Sequence, residues 1–205
     1  MECYDKSTFK NKKLNNIIKR DKMKQTLIVF VQDEPGVLNR VSSHIRRKNF
    51  NIESIAARHT EKKGITRITL VLNEPNKTKQ SIVVNSLKQL IDVYDVIDAT
   101  KIKSYIREYA MIKVSSNESQ ILDIKNIIKS VNGNMVSTSE NIFIFELTGN
   151  KNEVESVITK LKKYDIIEIV RSGMVAMVDG DDSRNKPHLK KTEPNWSTFR
   201  IMESF

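Results

Sequence analysis

Residues Val31 to Leu38 read Val-Gln-Asp-Glu-Pro-Gly-Val-Leu and carry the chain from an apolar, β-rich run directly into a helical pattern. The amides at a helix start lack intrahelical partners and form a ready site for an anion such as a carboxylate. Pro35 suits the first helical turn, where a missing N–H costs little. Gly36 has no Cβ, so a ligand can approach its backbone closely. Asp33 stands beside these amides, where it can either cap the helix or accept a hydrogen bond from an ammonium group. Carboxylate and ammonium recognition side by side is what an α-amino acid requires, although Asp-x-Pro-Gly before a helix is also ordinary capping. A second segment, Phe50-Asn-Ile-Glu-Ser-Ile, adds Asn51, which offers donor and acceptor groups, and Ile52, which offers an apolar wall. Asn51 is equally suited to stabilising a turn with Asn49.

Other chemistry is poorly represented. His44, His59 and His188 share no recognisable ligand spacing, and Cys3 is the single cysteine. Asp179, Gly180, Asp181 and Asp182 lack the full calcium-loop pattern and read as a solvated linker. No glycine-rich phosphate loop is present, so the chain is expected to have no catalytic residues, metal or cofactor of its own.

The elements that must position these residues occur twice in one order. Thr26–Gln32 is an unbroken β-rich run, as in a strand buried on both faces. Val37, Leu38, Val41 and Ile45 then follow at helical spacing. Asn49–Thr60 reads as a strand, Lys62-Lys63-Gly64 as its turn, and Thr66–Leu72 as an alternating strand. Val83, Leu87, Leu90 and Ile91 mark a second helix, and Val93–Thr100 closes the unit. From Glu108 the order repeats: strand Glu108–Val114, helix stripe Ile121, Ile124, Ile128 and Val131, strand Met135–Ser139, and strand with Phe143, Phe145 and Leu147. A helix with Val154, Val157, Ile158 and Leu161 and a strand Ile166–Val170 follow. Each βαββαβ unit predicts a four-stranded antiparallel sheet with both helices on one face, so the fold class is α+β with two tandem ferredoxin-like domains. The other sheet face and the edge strands need cover, by dimerisation or by docking of the second unit.

Hydrophobic residues make up 39% and charged residues 29% of the 205 positions, a globular mixture. No apolar run approaches the ~18 residues of a membrane span. The net charge is +10. Half of it, +5, falls in residues 1–24, with +1 in residues 180–205, which leaves +4 for the body. The excess therefore sits in a lysine-rich leader, read as a solvated extension, with a basic arm for anionic partners as the alternative. The leader has no apolar core of a secretory signal. The bias to lysine, isoleucine and asparagine points to an A+T-rich coding genome, such as a plastid or a low-GC bacterium.

The stretch from Thr26 to Val41, then Phe50-Asn-Ile-Glu-Ser-Ile, Gly64-Ile-Thr-Arg-Ile-Thr, Leu87-Lys-Gln-Leu-Ile-Asp-Val and Arg107-Glu-Tyr-Ala-Met-Ile-Lys-Val, resembles the ACT domain and following module of acetolactate synthase small regulatory subunits. The resemblance ends near Arg171-Ser-Gly. It implies an amino-acid-binding ACT domain over 25–100 and a second ACT-like, ferredoxin-like domain over 105–179, while the basic extension over 1–24 and the tail over 180–205, both read as flexible, have no counterpart in it. It also implies a homodimer and a partner, the catalytic large subunit, which would carry thiamine diphosphate, magnesium and FAD. Valine would be the effector. Carried over by motif position, its contacts would be Asp33, Gly36, Val37 and Leu38 from one chain and Asn51 and Ile52 from the other. Asp33 stands where some members have asparagine, and Asn49 where glycine is usual; asparagine tolerates left-handed backbone. A plastid stroma or a bacterial cytoplasm would be its location. An ACT sensor for a different enzyme and an RNA-binding ferredoxin-like protein are the competing readings; the latter would display aromatics on its sheet, whereas Phe143 and Phe145 are flanked by isoleucines as in a core.

Overall fold

The computed structural model describes residues 24–180. The first unit comprises β1 (Lys24–Gln32), α1 (Val37–Arg47), β2 (Ile52–His59), β3 (Ile65–Asn73), α2 (Lys77–Lys88) and β4 (Val93–Asp98). The second comprises β5 (Ser104–Ser115), α3 (Glu118–Lys129), β6 (Asn134–Ser139), β7 (Ile142–Gly149), α4 (Lys151–Leu161) and β8 (Asp165–Val178). The strand orders are β2-β3-β1-β4 and β6-β7-β5-β8, and every pairing is antiparallel. Both units are thus the split βαβ arrangement that the repeat predicts.

Period-two alternation assigns the faces. Leu27, Val29 and Val31 of β1 pack with Ile68, Leu70 and Leu72 of β3 under Val37, Val41 and Ile45 of α1 and Val83 and Leu87 of α2. In the second unit Ala110, Ile112 and Val114 meet Phe143, Phe145, Ile124, Val154 and Leu161. Phe143 and Phe145 lie inside that core and are not displayed for base stacking. Local signals hold the ends of the elements. Asn76 caps α2 by accepting from the amides of Thr78 and Lys79. Asn150 and Glu153 form a reciprocal capping box on α4. Asn49 adopts φ 60° after α1, the left-handed turn expected of asparagine there.

Two readings of the pattern need correction. The apolar stripe of α2 does not run on to Ile91: the helix stops at Lys88, and Ile91 is 95% exposed at the tip of a turn leading into β4. Here an isoleucine falls at helical spacing by coincidence, and the turn bonds Leu90 N–Leu87 O and Val93 N–Leu90 O set the chain instead. The strands predicted over Glu108–Val114 and Ile166–Val170 are also much longer. β5 and β8 pair from Ser104↔Val178 to Ser115↔Asp165, and their outer ends form a two-stranded arm laid on the open face of the first sheet. Ile106, Ala176 and Val178 of this arm cover Ile28, Phe30, Ile97 and Ala99. Docking of the second unit is therefore what buries β1 on both faces. A register shift between Glu108 and Ala110, with Gly173 at φ 77°, bends the arm into place. A Cβ on Gly173 would stand 2.8 Å from Ser54 Oγ, which accepts from the Met174 amide at 3.0 Å.

Candidate functional site: the first strand-to-helix turn

At the end of β1 the Gln32 amide donates to Asp92 O and the Asp33 amide to Gly64 O, at 2.8 and 3.0 Å. These bonds anchor the turn to the two loops beside it. Pro35 lies in the turn, outside the helix, and Gly36 is the N-cap at φ 84°, ψ −11°. That left-handed conformation is why glycine is needed; a β-carbon there also crowds the backbone. No side chain caps α1. Asp33 does not fill the role either, because its carboxylate turns towards β2 and β3. Its Oδ1 accepts from Thr66 Oγ1 at 2.9 Å, and its Oδ2 lies 3.1 Å from His59 Nδ1. The Val37 amide donates to the Glu34 carbonyl at 3.3 Å, so it is the following first-turn amides, at Leu38 and Asn39, that no side chain caps and that stay open to an acceptor from outside the chain.

A further residue joins this site that spacing alone did not single out. Arg40 places Nε and Nη2 on the Asp92 carboxylate at 2.6 and 3.0 Å, a bidentate pair. Its Nη1 stands 3.3 Å from where a Cβ on Gly36 would be. Hydrogen bonding to Asp92 raises the Arg40 pKa above its ordinary value. A cation and a helix N-terminus therefore flank the same glycine. The clue available in the sequence was an arginine four positions after Gly36, on the same side of the helix. His59 and Thr66 had no such clue, being joined to Asp33 only by strand pairing.

The six residues implied as effector contacts fall into two groups. Asp33, Gly36, Val37 and Leu38 are together at the turn; Val37 is 2% exposed and points into the core, while Leu38 is 46% exposed. Asn51 and Ile52 lie elsewhere: the Asn51 carbonyl accepts from the Asn73 amide, and Ile52 pairs with Leu72. Gln32 at the turn pairs with Ile65, at the opposite end of β3. At ~3.3 Å per residue the two groups are about 23 Å apart in one chain. They sit on opposite ends of a sheet whose edge strand is β2. One chain cannot close them around one small molecule.

Among the described residues no cluster of three or more histidine, cysteine or acidic side chains is arranged to hold a metal, and no helix is long and apolar enough to cross a membrane. Cys3, His188, Asp181 and Asp182, like the basic leader before Lys24 and the tail with Trp196, lie outside the described residues.

Comparison with known proteins gives two family matches in tandem. Residues 27–95 match the acetohydroxyacid synthase small subunit-like ACT domain, and residues 107–180 match the small subunit of acetolactate synthase. The chain is 35% identical over 162 residues to the acetolactate synthase small subunit of Bacillus subtilis, covering 79% of this chain and 94% of that protein. Identity to acetolactate synthase small subunit 2, chloroplastic, of Arabidopsis thaliana is 32% over 153 residues, 75% of this chain and 32% of the plant protein. Among solved structures, the acetolactate synthase small subunit of Thermotoga maritima superposes with a TM-score of 0.69 at 29% identity, covering 77% of this chain and 98% of that one. With two family matches in order over most of the described residues, and a relative 35% identical over 79% of the chain, this chain belongs to the acetolactate synthase small subunit family.

Proposed function

We propose that the chain is a regulatory subunit that activates a thiamine-diphosphate-dependent catalytic subunit and imposes feedback inhibition by valine on it. The observation that carries this reading is the open turn: first-turn amides without a side-chain cap beside Gly36 and Arg40, with Asp33 in the same turn and its carboxylate held by Thr66 and His59. Valine's carboxylate would take the amides and Arg40, and its ammonium would take Asp33 in competition with His59. Val37, whose side chain is committed to the core and whose amide donates to Glu34, would shape the turn, and Leu38 would contribute its amide and its exposed side chain.

Asn51 and Ile52 would come from a second copy, whose β2 edge pairs with the edge of the first. The ~23 Å separation of the two groups within one chain supports a shared, two-chain site over an internal one. Valine then acts by binding one pairing geometry better than another, because only differential binding shifts a partner's activity. A coupling of ~1–3 kcal/mol is typical of such regulation. Leucine and isoleucine should compete weakly, since one methylene changes affinity in an apolar pocket by only ~1–3 kcal/mol. Thiamine diphosphate, magnesium and FAD would belong to the catalytic partner, in a plastid stroma or a bacterial cytoplasm. Calorimetry of the full chain with valine, leucine and isoleucine, run beside sedimentation, tests the reading: one valine site per pairing interface supports it, and a monomer indifferent to all three refutes it.

A further inference from the structure

A cavity of about 920 Å³ opens between the non-helical face of the first sheet and the arm of β5 and β8. It lies on the far side of the sheet from α1, and it adjoins the turn described above at His59, which lines the cavity and also contacts Asp33. Phe30, Ala56 and Arg67 contribute from the sheet, and Tyr105, Val175 and Met177 from the arm. The volume is several times that of a small amino acid and falls in the range that holds drug-sized ligands. Charge in the lining is one-sided: Arg58, Lys62, Arg67 and Arg107, with His59, stand against the single acid Glu61.

Arg67 is the centre of this imbalance. It is half-buried, its guanidinium donates to the Ala176 carbonyl, and it lies 5.8 Å from the Phe30 ring centroid. Among the described residues no carboxylate comes within ion-pairing distance of it. Burial pulls its pKa below the ordinary value, with Glu61 opposing weakly, yet arginine stays charged. A partly desolvated cation without a counter-ion gains from any anion that reaches it. Tyr105, Val175 and Met177 remain more than half exposed beside it, an apolar surface next to a fixed charge.

We propose that this inter-domain cavity binds a small organic anion with an apolar body, its acidic group held by Arg67 and its body by Phe30, Tyr105 and Val175. The proposal does not rest on the amino-acid reading. The test uses the full chain with two dyes: the sulfonate 8-anilinonaphthalene-1-sulfonate and the neutral N-phenyl-1-naphthylamine. One sulfonate should bind per chain. Arg67→Met, which keeps the side-chain bulk, should weaken the sulfonate roughly tenfold or more, as expected for a hydrogen-bonded charge, and leave the neutral dye as before. Val175→Glu, at an exposed position, should repel the sulfonate without lowering the melting temperature, and decides the matter alone if Arg67→Met fails to fold. Sulfonate binding indifferent to both variants overturns the proposal. So does equal weakening of both dyes, or failure of the chain to bind the sulfonate because a second copy fills the cavity.

Discussion

Substitution of Gly36 by Asp separates the backbone role of this glycine from its ligand role. At φ 84° an L-residue costs ~1–2 kcal/mol. The Cβ would meet Arg40 Nη1 at 3.3 Å, a flexible side-chain end that can shift. A carboxylate at the start of α1 returns ~0.3–1 kcal/mol through the helix dipole. The net loss of about 1 kcal/mol lowers the melting temperature of a domain this size by roughly 4–8 °C, so the subunit still folds. Ligand binding suffers far more. Two like charges about 4 Å apart repel by about 4 kcal/mol at an effective dielectric of ~20, close to a thousandfold in affinity. The assay is acetolactate formation by the catalytic subunit reconstituted with each variant, titrated with valine, beside thermal unfolding of the variant alone. Gly36→Asp should retain activation and lose inhibition, while Gly36→Ala, with the same backbone strain and no charge, should keep inhibition at a modestly raised valine concentration. If alanine abolishes inhibition as completely as aspartate, backbone geometry and not charge controls the site, and the carboxylate assignment fails. Loss of activation together with inhibition in the aspartate variant would show that Gly36 serves the fold only.

Further outcomes are open to direct measurement. Asn51→Ala should raise the valine concentration for half-inhibition about tenfold, the loss of one hydrogen bond to a charged group, and an unchanged value removes Asn51 from the site. Arg171 grips Glu108 at 2.8 and 2.6 Å and Glu155 at 2.7 Å, and the Glu108 side chain is only 5% exposed. Arg171→Ala strands that carboxylate and should cost ~3–5 kcal/mol in urea unfolding, largely recovered by adding Glu108→Gln; a loss under ~1 kcal/mol contradicts the pairing. Burial, then Arg47, then Lys48 lower the His44 pKa, and its Nε2 is buried without a hydrogen-bond partner. Because the folded value lies below the unfolded ~6.5, the unfolded state binds the proton more readily. Stability should therefore be full above pH ~6.5 and fall as the pH drops towards the folded value, with His44→Gln showing a shallower decline in melting temperature over that window.

Arg171 also shows why two motifs of the sequence belong together. Arg107-Glu108 and Arg171-Ser-Gly are 63 positions apart and had no visible relation, yet β5 and β8 pair them and close an ion pair. The candidate site was legible where its parts are local. Asp33 and Gly36 were singled out as candidates from a strand running into a helix, Leu38 only through the resemblance, and Arg40 was within reach of the same reasoning one turn later. His59 and Thr66 were not, because they approach Asp33 only through the β2–β3 and β1–β3 ladders.

Taken alone, the order of residues determined the two βαββαβ units, the core stripes of Val37, Val41 and Ile45 or Ile124 and Ile128, and the turn that needs glycine. Each of these depends on neighbours within a few positions, where side-chain period and backbone preference act directly. Only the tertiary structure decided that β5 and β8 extend into an arm, that this arm seals Ile28 and partly covers Phe30, and that Asn51 lies at the far end of the sheet from Asp33. Those outcomes depend on registers between strands far apart in the chain. No local period encodes them, because the energy that selects a register comes from the surfaces the strands bury together.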